Sequence, residues 1–250
     1  MIKRIVCWFS CGAASAVATK LAIIENAGKL PLVVARCMID EEHPDNERFA
    51  KDCEEWFGVP ILNLSSNEYG SSIYGVFGKR KYISGISGAA CTKFLKKEVR
   101  IEFQLPTDRH VFGYCAGEDD RWDNFLDANN IDAWSPLIEK GISHPEALAL
   151  IENAKIALPI MYKLGYQHNN CIGCVKAQGQ GYWNKIREDF PNQFNRMAVF
   201  SRGLGVRIIK VGKERIFLDE LIPGTGDYQS EPEIQCGIFC EAISRDMGND

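Results

Sequence analysis

Apolar positions follow two rhythms along the first half of the chain. Residues 4–9 (Arg-Ile-Val-Cys-Trp-Phe) form a short, bulky apolar run, which predicts a strand buried on both faces. Small residues occupy 10–15, and the pattern over 16–24 predicts a helix with Ser15 near its N-terminus. A second strand is predicted over 32–39, ending at Asp40, then an amphipathic helix over 46–57 and a third strand over 61–64. A fourth strand is predicted over 109–114, before the acidic turn Gly117-Glu118-Asp119-Asp120-Arg121. This alternation predicts an α/β fold, doubly wound around a mostly parallel sheet covered on both faces. Such sheets bind ligands beyond the carboxyl ends of their strands, so the turns at 10–15, 40–45 and 114–121 are expected along one rim.

From Pro136 the texture changes. A helix is predicted over 145–157, a loop over 162–174, and helical pattern over 183–197 interrupted at Pro191. Two short strand-like runs lie between 206 and 221, around Gly212-Lys213-Glu214, and the tail from Pro223 is loop-rich. The expected division is a domain over 1–160 and a C-terminal cysteine-bearing segment over 161–250.

Composition narrows the setting. Of the 250 residues, 46% are hydrophobic and 25% charged, as in ordinary globular chains. No apolar run approaches the ~18 residues of a membrane span. The start of the chain lacks a secretory signal, so a cytoplasmic location with no membrane partner is expected. Thiols stay reduced there, and the ten cysteines then point to metal, cluster or catalytic roles rather than disulfides. Cys7, Cys37, Cys53 and Cys115 lie in apolar or amphipathic contexts and are expected in the core. The net charge of −4 argues against a bulk electrostatic grip on nucleic acid. Locally, Lys79, Arg80, Lys81, Lys93, Lys96, Lys97 and Arg100 are either a solvated helix face or a patch for phosphate or sulfate groups.

The chemistry-bearing residues fall into three groups. The first is the loop Ser10-Cys11-Gly12-Ala13-Ala14-Ser15. A strand, small residues and a helix present free backbone N–H groups to an anion, reinforced by the helix dipole. The Gly-Lys-Ser/Thr of a P-loop nucleotidase is absent. The second group is Glu118 and Arg121, read either as a rim pair for ribose or phosphate or as an exposed ion pair. The third is cysteine. Cys171 and Cys174 form a CxxC, Cys236 and Cys240 a looser CxxxC, and Cys91 opens the basic run Cys-Thr-Lys-Phe-Leu-Lys-Lys. A CxxC joined by distant cysteines reads as a metal or iron–sulfur site, or as redox chemistry.

Taken in order, these motifs resemble the PP-loop (N-type ATP pyrophosphatase) superfamily. The loop 10–15 is similar to its SGGxDS motif, with Ala14 where the acid stands. Four further stretches resemble the adenylylsulfate and phosphoadenylylsulfate (APS/PAPS) reductase branch. They are Ala90-Cys91-Thr92-Lys93, Phe112-Gly113-Tyr114 running to Glu118 and Arg121, Pro159-Ile160-Met161-Tyr162-Lys163-Leu164-Gly165 before the CxxC, and Gln235-Cys236-Gly237-Ile238-Phe239.

The resemblance implies a nucleotide-binding domain over 1–160 that takes APS, PAPS or ATP on Ser10, Cys11, Gly12, Ala13, Ala14 and Ser15, with Asp40, Gly113 and Glu118. It implies Cys236 as nucleophile, with Lys96 and Arg121 supplying positive charge. Cys91, Cys171 and Cys174 would hold a 4Fe–4S cluster or zinc, with Cys240 the candidate fourth ligand, since Thr92 stands where the second cysteine of the pair would fall. A thioredoxin-like protein would be the reductant. Two other functions within the superfamily stay open: an ATP-dependent sulfurtransferase acting on tRNA or DNA, and a non-catalytic nucleotide-binding regulator, which Ala14 favours.

Overall fold

A computed structural model describes residues 1–85 and 88–228. The chain opens with β1 (Arg4–Trp8), α1 (Ala13–Asn26), β2 (Leu32–Cys37), α2 (Asn46–Phe57) and β3 (Ile61–Leu64). Next come α3 (Ile73–Arg80) and the two-residue strands β4 (Ser84–Gly85) and β5 (Gly88–Ala89), then a π-helical segment, Thr92–Lys97, that runs into α4 (Glu98–Phe103). After β6 (Asp108–Val111) follow α5 (Asp119–Asp127), β7 (Asp132–Trp134), α6 (Pro136–Glu139), α7 (His144–Asn153) and α8 (Ile160–Lys163). The described chain closes with α9 (Gln180–Asp189), α10 (Pro191–Gly203), the hairpin β8 (Ile209–Val211) and β9 (Glu214–Ile216), and a 3-10 turn at Leu218–Glu220.

Five strands form one parallel sheet in the order β3-β2-β1-β6-β7. The α/β expectation holds, and the architecture is compatible with a Rossmann-like fold. Val6 and Cys7 of β1 are fully buried, as a strand covered on both faces requires. On one face Ile5, Cys7 and Phe9 join α1, α2 and α7 in a single core. On the other, Trp8 packs edge-on against Phe103 of α4 and its indole N–H donates to His110 Nδ1 at 3.0 Å. The order reverses between β1 and β6, and loop 10–15 emerges at that reversal. This is where open α/β sheets leave a crevice for ligands.

A second core joins α3 and the π-helical segment to α9 and α10, through Phe77, Phe94, Tyr166, Trp183 and Met197. It draws on both sides of the expected division at residue 160. The CxxC loop sits on this core: Gly173 takes φ +72°, and a Cβ there would meet the Trp183 ring at 3.2 Å. Among the described residues no helix is long and apolar enough to cross a membrane.

Several expected boundaries shift. Helix α1 starts at Ala13 rather than 16, with Gly12 and not Ser15 at its N-cap. The second strand ends at Cys37 and the fourth at Val111. In both cases the chain leaves the sheet to form the rim turns, so apolar residues such as Ile39 and Phe112 lie beyond the strand ends. Helices α3 and α5 and strand β7 were not expected. Helix α5 carries no fully buried residue and β7 is a three-residue edge strand, so neither leaves a strong periodic signal.

Cys7, Cys53 and Cys115 are buried as expected, with Cys11 beside them. Burial pushes the thiols of Cys7, Cys11 and Cys53 far above the ordinary cysteine range. Unfolded thiols ionise near pH 8.5, so above that pH the unfolded chain releases protons that the folded one retains, and stability falls. Three such thiols give a slope of about 4 kcal/mol per pH unit once the unfolded thiols are ionised. In reducing buffer, the melting temperature is expected to hold from pH 7 to 8 and fall steeply above pH 9. A melting temperature that stays level to pH 10 would contradict this.

Candidate functional site

Loop 10–15 turns sharply because Cys11 takes the left-handed conformation, φ +56°, unusual for a residue with a side chain. Its buried thiol donates to the Asn46 carbonyl at 3.7 Å. The Ser15 hydroxyl closes the loop: it accepts from Ser10 N–H at 3.0 Å and donates to the Gly12 carbonyl at 2.9 Å. The Ser10 hydroxyl donates to Ser15 Oγ at 3.1 Å. Ala13 N–H donates to the Tyr162 hydroxyl at 3.3 Å. The Ala13 amide is thus taken by Tyr162, while Gly12, Ala14 and Ser15 at the start of α1 line the cleft, where an anion at a helix start would sit. Gly113 makes this packing possible, since a Cβ there would lie 2.6 Å from Ser15 N and 2.7 Å from the Ala14 carbonyl carbon.

A cleft of about 740 Å³ opens over this loop. Its walls include Ser10, Gly12, Ala14, Ser15 and Gly113, and also Cys91, Cys171 and Cys174. A smaller arm of about 410 Å³ shares Ser10, Ser15, Thr92, Lys96, Gly113 and Tyr114 with it. That arm runs between the sheet rim and the π-helical segment, walled by Trp8, Phe112 and Phe125, with Arg100 and Lys97. Thiols from two distant stretches and the small-residue loop thus share one cavity. π-helical turns recur at functional sites, and this one carries Lys96 into the cavity.

Lys96 is surrounded by protein yet exposed to the cleft. Desolvation opposes its charge, but Glu42 above all outweighs that, joined by Cys171, Cys37 and Cys174 where these are ionised, so its ammonium is held above the ordinary lysine range. It stays charged throughout the neutral pH range. Burial pushes the Cys37 thiol up to about 11, and Lys96 partly offsets this. Burial also raises Cys91 and Cys171, again against a lowering influence of Lys96.

The expected basic patch divides. Lys96, Lys97 and Arg100 line the cavity, whereas Lys79 and Arg80 lie over the Tyr69 ring and engage Glu68. Lys93 is exposed over Phe94. Glu118 and Arg121 stand at the cleft wall as an ion pair, and Glu118 Oε2 also accepts from Cys115 N–H at 2.9 Å, which holds the turn. Asp40 is exposed and does not line the cavity; the carboxylate that does, from the same turn, is Glu42. Cys37, expected in the core, is half-buried and lines the smaller arm. Cys236 and Cys240 lie outside the described residues.

Cys91, Cys171 and Cys174 suit a thiolate-bound cluster or zinc by chemistry. Among the described residues, however, no three His, Cys, Asp or Glu side chains stand close enough to hold a metal ion as they are placed. The thiols converge on one cavity without closing round an ion.

Two cavity residues, Glu42 and Asn169, carried no role in the sequence, and Arg100 stood there only as one member of the basic run. Arg100 is 6% exposed, donates to Asn129 Oδ1 at 2.6 Å, and has no partner for Nη1 among the described residues. Its position within the basic run was a signal, but nothing marked it as the buried member. Asn169 lies two residues before the CxxC pair, and that closeness was the available sign.

The chain matches no protein-family model and no curated protein.

Proposed function

We propose that this chain is a sulfonucleotide (APS/PAPS) reductase-like enzyme. The observation that carries the reading is a single cavity joining an anion-type loop at the sheet reversal, the charged Lys96 and three thiols. The loop amides take the phosphate of an adenine nucleotide, and the aromatic arm beside Lys96 takes the base or sugar. Lys96 and Arg121 offset the charge of the phosphosulfate. Cys236 thiolate attacks the sulfate sulfur, a sulfur–sulfur bond forms, and the sulfur–oxygen bond to phosphate breaks, so the nucleotide leaves with that electron pair. A thioredoxin-like dithiol then attacks the Cys236 sulfur, sulfite departs, and the dithiol is oxidised to a disulfide. Cys91, Cys171, Cys174 and Cys240 are the proposed ligands of a 4Fe–4S cluster or zinc, which would order the thiol segment beside the nucleotide, while Lys96 and Arg121 carry the positive charge.

A second reading, an ATP-dependent sulfurtransferase acting on tRNA or DNA, is favoured by one observation. Three thiols line the cleft beside the loop, all from segments before the tail that carries Cys236. Anaerobic assay of sulfite release from APS and from PAPS, with a dithiol reductant, separates the two. Sulfite from one substrate, lost in Cys236→Ser, supports the reductase. Sulfite from neither, with ATP-dependent sulfur transfer to nucleic acid, supports the sulfurtransferase. Nucleotide binding without either reaction leaves the non-catalytic regulator.

A further inference from the structure

Asn169 occupies a position that the proposed chemistry does not use. It is 6% exposed, lies two residues before Cys171, and its Nδ2 donates twice. One hydrogen bond, at 2.6 Å, goes to the carbonyl of Cys11, the left-handed residue of the anion-type loop. The other, at 2.8 Å, goes to Asn46 Oδ1 at the start of α2. Asn46 Nδ2 in turn donates to Glu42 Oε2 at 3.0 Å, and Glu42 also accepts from Arg36 at 3.4 Å. One residue further on from the first thiol, Ile172 N–H donates to the Glu41 carbonyl at 2.9 Å. The segment bearing the CxxC is thus hydrogen-bonded both to the small-residue loop and to the turn that carries Glu42.

We infer that Asn169 is a positioning residue: it fixes the anion-type loop through the Cys11 carbonyl and docks the thiol segment onto that loop. A left-handed non-glycine residue persists only where its surroundings over-determine it. Here the surroundings are the Cys11 thiol on the Asn46 carbonyl and the Cys11 carbonyl on Asn169, and Asn46 itself hydrogen-bonds Asn169. Without the Nδ2 donor, the carbonyl of Cys11 loses its partner and the plane of the following peptide is free to turn. The backbone of Gly12 and of the first turn of α1, which lines the cleft, then loses its fixed course. The inference rests on the reading of loop 10–15 as an anion site, whatever reaction follows.

The test compares Asn169→Ala and Asn169→Asp with the unsubstituted full-length protein. Aspartate keeps the size of the side chain but removes the donor. Calorimetric affinities are measured for inorganic pyrophosphate, which offers the site phosphate oxygens alone, and for adenosine, which carries no phosphate. The expected result is a dissociation constant for pyrophosphate raised about tenfold in both variants, the loss of roughly one well-placed hydrogen-bonding contact, with adenosine unchanged within about twofold. Unchanged pyrophosphate affinity would overturn the inference. An equal loss for both probes would overturn it too, because a general packing role weakens both alike. If Asn169→Ala does not fold, Asn169→Asp decides. If the unsubstituted protein binds adenosine but not pyrophosphate, the anion-site reading fails and the inference falls with it; if it binds both and only the variants behave alike to it, the inference alone fails.

Discussion

Replacing Lys96 with Met is expected to weaken adenine-nucleotide binding by roughly 10- to 100-fold, the range of one lost charge-assisted contact. Lys96 is the cation that both arms of the cavity share, and Glu42 holds it charged against the desolvation it suffers there. Because its ammonium is raised above the ordinary range, its contribution is present throughout neutral pH and fades only as pH rises beyond the usual lysine value. Binding of AMP should therefore be level from about pH 7.5 to 9 in the unsubstituted protein, above the second ionisation of the AMP phosphate at about pH 6. Lys96→Arg should recover part of the affinity, since charge survives while the geometry changes. A second readout lies at Cys37, whose thiol stands at about 11 with Lys96 the largest influence lowering it. In Lys96→Met that thiol rises further, and its alkylation at pH 8 should slow. Unchanged AMP affinity in Lys96→Met would remove Lys96 from the binding machinery.

Gly113→Ala is expected to cost more than a simple loss of contact. The added methyl would meet three backbone atoms of Ala14 and Ser15 at 2.6–2.7 Å, none of which can swing aside as a flexible side chain does. Either the rim after β6 or the start of α1 must move. Overpacking of this kind costs roughly 1–3 kcal/mol or more, and the displaced element is the loop that orients the amides. Nucleotide binding should fall below detection while much of the fold survives. Gly203→Ala is the matched control: a Cβ there meets nothing within 4 Å, and the residue ends helix α10, so stability should hold or rise slightly. Full affinity in Gly113→Ala would contradict the close approach of rim and helix.

The parts of this molecule that were readable in the sequence are those with a strong local period or a rigid local need. Strand β1 and helix α2 announce themselves because burial on both faces, or on one helical stripe, dictates residue type at each step. Loop 10–15 was legible because small residues between a strand and a helix have few other reasons to occur. A common rim for the turns was expected from the order of strands, and the grouping of Cys91, Cys171 and Cys174 from the CxxC and the resemblance; all three line the cleft. What remained hidden depends on long-range packing. Arg100 looks like any member of a basic run until helix α4 lies down on the sheet and buries it. Glu42 and Asp40 are equivalent by sequence, and only the course of the turn after β2 sends one into the cavity and the other outward. Asn169 and Asn46 lie far apart in the chain, and their hydrogen bond exists only once α2 and the cysteine loop meet.

The most direct measurement is cysteine footprinting on fully reduced, metal-freed protein under anaerobic conditions, with and without saturating AMP, read residue by residue by mass spectrometry. If one cavity joins the small-residue loop to the thiols, AMP should slow alkylation of Cys91, Cys171 and Cys174 together, while Cys7 and Cys53 stay unreactive in both states. Calorimetric binding of AMP that leaves the labelling of all three thiols unchanged would contradict it.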